Sequence, residues 1–219
     1  MEIVYVFDKN YIPYFELSVQ SVLKFNPKAH ITVVSPEPLN IKYENIVIPI
    51  RRKFKHRDND RITSTTYLKL YLPSLPYDKI LYLDADLLCL GSLNELWKMD
   101  CDYICMAESH KFGDIQAKAH GHLKYGLSGV MLMNLKNLRD IKFTQKALIP
   151  FKLELPVWCH EESIINHKFY DKIKFIDRKY NYCYHRDYAQ PIDNPLILHF
   201  PGVEKRYMHY EFCKRGLFI

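Results

Sequence analysis

The chain has 219 residues, of which 48% are hydrophobic and 26% charged, with a formal net charge of +6 at pH 7. That length suits one α/β domain, and that apolar share fills a substantial core, which excludes a disordered chain. No apolar run is long enough to span a bilayer, and the mild positive excess suits an anionic ligand or an anionic membrane surface.

Residues 2–7 read as a buried strand with no charged-then-apolar leader ahead of it, which predicts a cytoplasmic protein. Residues 13–25 place Phe15, Val19, Val22 and Leu23 near one helical face, and Asn26-Pro27 ends that helix. Strand patterns follow at 31–34 and 45–48, then a polar loop at 51–60, a helix at 62–71, and strands at 79–83 and 103–107. This β-α-β alternation predicts a mainly parallel sheet flanked by helices, with its site at the carboxyl ends of the strands. The second half is less regular, with a strand at 127–133, helices at 135–148 and 161–167, and a late strand at 196–200. No linker or repeat interrupts the chain. Residues 1–219 therefore read as one domain, with a nucleotide-binding part over about 1–110 and an acceptor-side part over about 111–219. The cysteines at 89, 101, 105, 159, 183 and 213 include no CxxC pair and read as reduced core thiols rather than zinc ligands or disulfides.

The chemistry concentrates at Ile80-Leu81-Tyr82-Leu83-Asp84-Ala85-Asp86-Leu87-Leu88, where two carboxylates emerge from the end of an apolar strand. Desolvating a charge costs several kcal/mol, so such carboxylates need partners. Alternating side chains put Asp84 and Asp86 on one side of an extended backbone, within reach of one divalent ion and the diphosphate it bridges. The plainer alternative makes them caps of a following helix. A phosphatase of the haloacid dehalogenase type also carries Asp-x-Asp after an apolar strand, but near the start of the chain and with Thr or Val where Leu88 stands here.

Three segments accompany this motif. Phe7-Asp8-Lys9-Asn10-Tyr11 ends the first strand, where Asp8 and Asn10 can meet a base or ribose and Tyr11 can stack, or where Asp8 or Asn10 simply caps a helix. His199-Phe200-Pro201-Gly202-Val203-Glu204-Lys205 offers an imidazole to a metal, a glycine for close approach to phosphate, and a cation for its charge. Thr63-Ser64-Thr65-Thr66-Tyr67-Leu68-Lys69 supplies hydroxyls and one cation just ahead of the acidic strand.

In order and spacing, these segments resemble glycosyltransferase family 8, the retaining galactosyl- and glucosyltransferases that include bacterial lipooligosaccharide enzymes and glycogenin. The resemblance spans nearly the whole chain and includes the strand at Gly129-Val130 running into Asn134-Leu135-Lys136. It implies a GT-A fold, Mn²⁺ or Mg²⁺, a UDP-sugar donor and a glycan or other hydroxyl acceptor. Asp84, Asp86 and His199 would hold the metal, Val6, Asp8, Asn10 and Tyr11 the uridine, and Ala85, Gly202 and Lys205 the diphosphate. The departures lie on the sugar side. Lys69 stands where the family usually has arginine, and Leu127-Ser128-Gly129 replaces an Asn-containing turn. His160-Glu161-Glu162-Ser163-Ile164-Ile165-Asn166 carries two glutamates where the family often has Asp-Gln-Asp.

On this reading Lys69, Glu161 and Glu162 are the catalytic candidates. If the enzyme inverts, Glu161 or Glu162 acts as general base. If it retains, the same region faces the reacting carbon of the donor. Otherwise both glutamates merely charge the first turn of a helix. A non-catalytic nucleotide-sugar binder of the same fold is the rival from another class. The basic run 51–57 reads as a solvated loop, with a phosphate lid or a contact with anionic lipid as the functional alternatives, and no nucleic-acid motif accompanies it.

Overall fold

The computed structural model describes residues 1–50, 64–109, 112–149, 160–184 and 191–219. The basic run 51–57, the start of the expected helix at 62–71, and Cys159 lie outside the described residues.

Strand β1 (Glu2–Val6) leads through a short 3-10 turn, Lys9–Tyr11, into α1 (Ile12–Phe25), and β2 (His30–Ser35) and β3 (Glu44–Val47) follow. A long 3-10 helix, Ser64–Ser74, precedes β4 (Lys79–Leu83), β5 (Leu87–Cys89), α2 (Asn94–Lys98) and β6 (Ile104–Glu108). Then come α3 (Phe112–Ala119), β7 (Gly126–Asn134), α4 (Leu135–Asp140) and α5 (Phe143–Ala147). The described chain closes with α6 (His160–Lys168), β8 (Ile173–Ile176), β9 (Tyr182–Cys183), β10 (Ile197–His199) and α7 (Met208–Lys214).

Seven strands form one sheet in the order β3-β2-β1-β4-β7-β6-β8, and β5-β10-β9 form a second, smaller sheet. Strands β3, β2, β1 and β4 run parallel, whereas β7 is antiparallel to both of its neighbours. Strands β6 and β8 run with β4, so β7 alone opposes the other six and the sheet is mainly parallel, as expected. An apolar run buried on both faces reads the same in either direction, so its pattern carries no sign of strand polarity.

Side-chain alternation splits the core in two. Tyr5, Leu81, Leu83, Val130 and Leu132 pack on one face against Phe15, Val19 and Val22 of α1. Val4, Val6, Tyr82, Met131 and Met133 pack on the other, against Leu68 and Leu70 of the long 3-10 helix and Phe143 of α5. Burying each such side chain contributes roughly 1.5–3 kcal/mol. Strand β4 therefore sits in the middle of the sheet with no tolerance for slippage, which fixes where its end projects.

Local readings changed in three places. The helix at 62–71 is a 3-10 helix through Ser74, carrying Pro73 within it. The single helix at 135–148 is two, broken where Lys142 adopts a left-handed φ of 56°. No Gly or Pro marks that break, which lets Phe143 turn inward to full burial. Cys101 and Cys105 are joined as a disulfide with a Cα–Cα separation of 6.0 Å, which corrects the reading of all cysteines as reduced thiols. The loop entering β6 folds these two positions onto one another, a geometry that the four-residue spacing does not announce. Cys89 and Cys183 are buried and Cys213 is exposed, and none of the three is in a disulfide. No helix among the described residues is long and apolar enough to cross a membrane.

Candidate functional site

Asp84-Ala85-Asp86 is the crossover from the large sheet to the small one. The Asp84 N–H donates to Gly129 O on β7 at 2.8 Å, and Asp86 O accepts from Phe200 N at 2.8 Å. Strand β10 pairs antiparallel with β5, setting His199 opposite Leu87 and so beside Asp86. This backbone register, rather than any helix cap, is why two carboxylates and an imidazole converge. One ligand atom from each of Asp84, Asp86 and His199 lies within 4.8 Å of the others.

His199 Nε2 stands 3.3 Å from Asp86 Oδ1 and 3.5 Å from Asp84 Oδ2. Lys205 Nζ lies 2.9 Å from Asp86 Oδ2 and 5.1 Å from the centre of the Tyr11 ring. Burial opposes charge on all three groups, but their pairing overrides it. His199 is raised to about 10 through Asp86 and Cys183, Asp86 is held well below the usual carboxylate range by His199 and Lys205, and Lys205 is raised by Asp86. Two oxygen donors and one imidazole nitrogen within this span form a suitable donor set for a divalent cation, and the positive groups facing the carboxylates mark where such a cation would supply charge instead. Gly129 is needed here, because a Cβ on it would sit 2.3 Å from His199 Cε1.

A second cluster adjoins the first. Buried Lys69 Nζ lies 3.0 Å from Asp84 Oδ1, 2.9 Å from Glu161 Oε1 and 3.4 Å from Ser128 Oγ. Tyr82 donates its hydroxyl to Asp84 Oδ1. Burial would lower the Lys69 ammonium, but Asp84 and Glu161 raise it well above its ordinary value. The neighbouring Glu162 takes the Ser128 backbone N–H at 2.7 Å, while Ser128 Oγ meets Glu161 at 3.2 Å. Burial raises the Glu162 carboxyl, with the Ser128 N–H opposing. All three catalytic candidates thus come together, with Lys69 bridging Asp84 and Glu161 and Glu162 one step back.

The nucleotide-side candidates divide. Asp8 caps the turn into α1, taking Asn10 N–H at 3.1 Å and the Thr65 hydroxyl at 3.0 Å, which realises the capping alternative. Asn10 is exposed, Tyr11 half-buried, and Val6 and Ala85 buried in the walls. Gly202 has a φ of 66°, a left-handed backbone that favours glycine, and Lys205 Nζ also donates to its carbonyl at 3.3 Å. A cleft of about 440 Å³ adjoins them, lined by Asn10, Tyr14, Leu17, Gln20, Lys205 and His209. Sequence reasoning missed Asn181, Tyr82 and the hydroxyl of Ser128 as site partners. Asn181 and Tyr82 are buried among apolar neighbours, and nothing in their local pattern distinguishes them from core.

Known proteins share this architecture. GlyB of Streptococcus pneumoniae is 24% identical over 92% of this chain and 56% of its own length. A lipopolysaccharide 1,2-glucosyltransferase of Escherichia coli is 28% identical over 90% of this chain and 60% of its own length. The chain thus spans between about half and two thirds of these relatives. In fold it matches the crystal structure of the galactosyltransferase LgtC in complex with donor and acceptor sugar analogues, at a TM-score of 0.74 and 19% identity, over all of this chain and 96% of that one. An active-site glutamine-to-glutamate variant of LgtC matches at a TM-score of 0.77 and 20% identity, over 99% of this chain and 95% of that one. The fold is thus the GT-A fold of LgtC. The sequence description of glycosyl transferase family 8 covers residues 2–206, and the chain belongs to that family.

Proposed function

We propose that residues 1–219 act as one GT-A unit that transfers a hexose from a UDP-sugar to a hydroxyl of a glycan or similar acceptor, with retention at the anomeric carbon. The observation that carries this reading is the convergence of Asp84, Asp86 and His199 between two lysines at the end of β4. Mn²⁺ or Mg²⁺ held by Asp84, Asp86 and His199 would neutralise the charge developing on the departing diphosphate. Lys205, paired with Asp86 at 2.9 Å, is placed to turn its ammonium to phosphate oxygens, and Gly202 leaves room for their approach. Tyr11 and Asn10 border the nucleoside. On the other side of Asp84, Lys69 presents positive charge towards the donor sugar, held there by Glu161.

Glu161 shares its Oε1 between Lys69 and Ser128, which suits it to orienting Lys69 rather than to removing a proton, and this favours the retaining course. One observation favours inversion instead. Burial lifts the Glu162 carboxyl, the direction in which a general base is tuned. The exposed Arg206, Tyr210, Lys214, Arg215 and Phe218 around α7 suit contact with an anionic membrane surface.

Calorimetry with UDP, with and without Mn²⁺, tests the core of this reading. Metal-dependent UDP binding followed by slow hydrolysis of one UDP-sugar is expected, and the anomer of the product, read by NMR, decides between retention and inversion. Binding without turnover on any acceptor means a binding module. Phosphate release from generic monoesters with no UDP binding means a phosphatase and overturns the proposal.

A further inference from the structure

We infer that Asn181 is a positioning residue that selects the metal-binding tautomer of His199, a role that rests on the metal-clamp reading above. Asn181 joins the 3-10 turn Arg178–Tyr180 to β9 and is only 1% exposed, so its amide must be satisfied inside the protein. Its Nδ2 donates to the carbonyl of Leu127 at 3.4 Å. A carbonyl only accepts, which orients the amide with its nitrogen towards Leu127 and its oxygen towards His199. That oxygen lies 2.9 Å from His199 Nδ1. Since an amide oxygen cannot donate, Nδ1 must carry the hydrogen. When a cation takes the place of the proton on Nε2, the neutral ring therefore offers its lone pair from Nε2, the nitrogen that faces Asp84 and Asp86.

The ring is constrained from two directions. Asn181 holds Nδ1, and the backbone of Gly129 lies so close to the ring that a methyl group would collide with Cε1 and Nδ1. Cys183 also hydrogen-bonds the imidazole, but a thiol is a weak partner and does not dictate a tautomer. The Leu127 carbonyl links this arrangement to Ser128, whose N–H and hydroxyl hold Glu162 and Glu161. Asn181 therefore ties the small sheet to the start of β7 at the point where both halves of the site meet.

The test compares wild type, Asn181→Ala and Asn181→Asp by Mn²⁺ binding in the presence of UDP, together with ¹⁵N NMR of histidine-labelled protein loaded with Mg²⁺ and UDP. His199 is assigned by the signals lost in His199→Gln. The expected results are an Nδ1–H signal at His199 in wild type and an Mn²⁺ affinity weakened about 10–100-fold in Asn181→Ala. Asn181→Asp keeps an acceptor at Nδ1 and should bind Mn²⁺ within about threefold of wild type. Wild-type Mn²⁺ affinity in Asn181→Ala, or a hydrogen on Nε2 with Nδ1 bare in wild type, overturns the role. If Asn181→Ala does not fold, the Asp variant and the wild-type NMR decide the matter. Wild type that fails to bind Mn²⁺ at all defeats the clamp reading itself, and this role with it.

Discussion

Asp86 and Asp84 stand two residues apart on one crossover, yet their surroundings are built from different materials. Asp86 faces His199 and Lys205, and its imidazole partner is placed by strand register between β5 and β10. Asp84 faces Lys69 and Tyr82, and the network continues to Glu161 on α6 through long side chains from helical segments. Backbone hydrogen bonds leave a strand-borne group little freedom, whereas a lysine and a glutamate reaching across between helices can adjust their length and angle. The Asp86 side is therefore the rigid half of the site. On the Asp84 side Lys69, Ser128, Glu161 and Glu162 form one interlocked set.

Four measurements can break or sharpen this contrast. Asp86→Asn should have the largest effect, lowering transfer by about 10³-fold or more and abolishing metal-dependent UDP binding. Equal Mn²⁺-supported turnover in this variant would end the claim that the rigid half holds the metal. Lys69→Met comes next. It leaves buried Glu161 and half-buried Asp84 without their cation, so urea unfolding should show a loss of about 3 kcal/mol, partly recovered by adding Glu161→Gln. Transfer should fall while Mn²⁺ affinity holds, and a parallel loss of both would erase the distinction between the halves. Gly129→Ala pushes a methyl group into the His199 ring, costing about 1–3 kcal/mol of stability and about tenfold in Mn²⁺ affinity.

The smallest effect is expected for Glu162→Gln, and it has a sign in pH. Burial raises the Glu162 carboxyl in the folded protein, so the folded state holds its proton more tightly than the unfolded state. As the pH rises from the unfolded value of 4.5 through the raised folded value, wild type loses stability that the glutamine variant keeps. The variant should therefore match wild type below pH 4.5 and be modestly more stable above the folded value, by thermal unfolding across that range. A gain confined to acid pH would contradict the placement of Glu162.

The elements that held from sequence to structure are those whose apolar pattern has a single solution. Strands β1, β2 and β4 alternate their side chains onto two packed faces, and α1 lays Phe15, Val19 and Val22 on one of them. The elements that shifted lacked a local signal. The break at Lys142 has neither Gly nor Pro, the pairing of Cys101 with Cys105 depends on a loop closing, and the polarity of β7 is silent in an apolar run. Asp8 was legible as either a base contact or a cap; it caps the turn through Asn10 N–H, and its bond to Thr65, from a distant segment, had no local signal.

The sequence by itself determined the chemical inventory and the family. It contains two carboxylates at the end of a buried strand, a late His-x-x-Gly-x-x-Lys, and a lysine and two glutamates where the sugar side of the site should be. Tertiary structure alone decided how these groups are wired. Lys69 and Glu161 are 92 residues apart in the chain, and Asn181 and His199 are 18 apart, yet each pair is within hydrogen-bond distance. Composition and period report which groups must be buried or exposed. Which buried charge meets which partner depends on strand order and register, and those are set by the packing of the whole sheet.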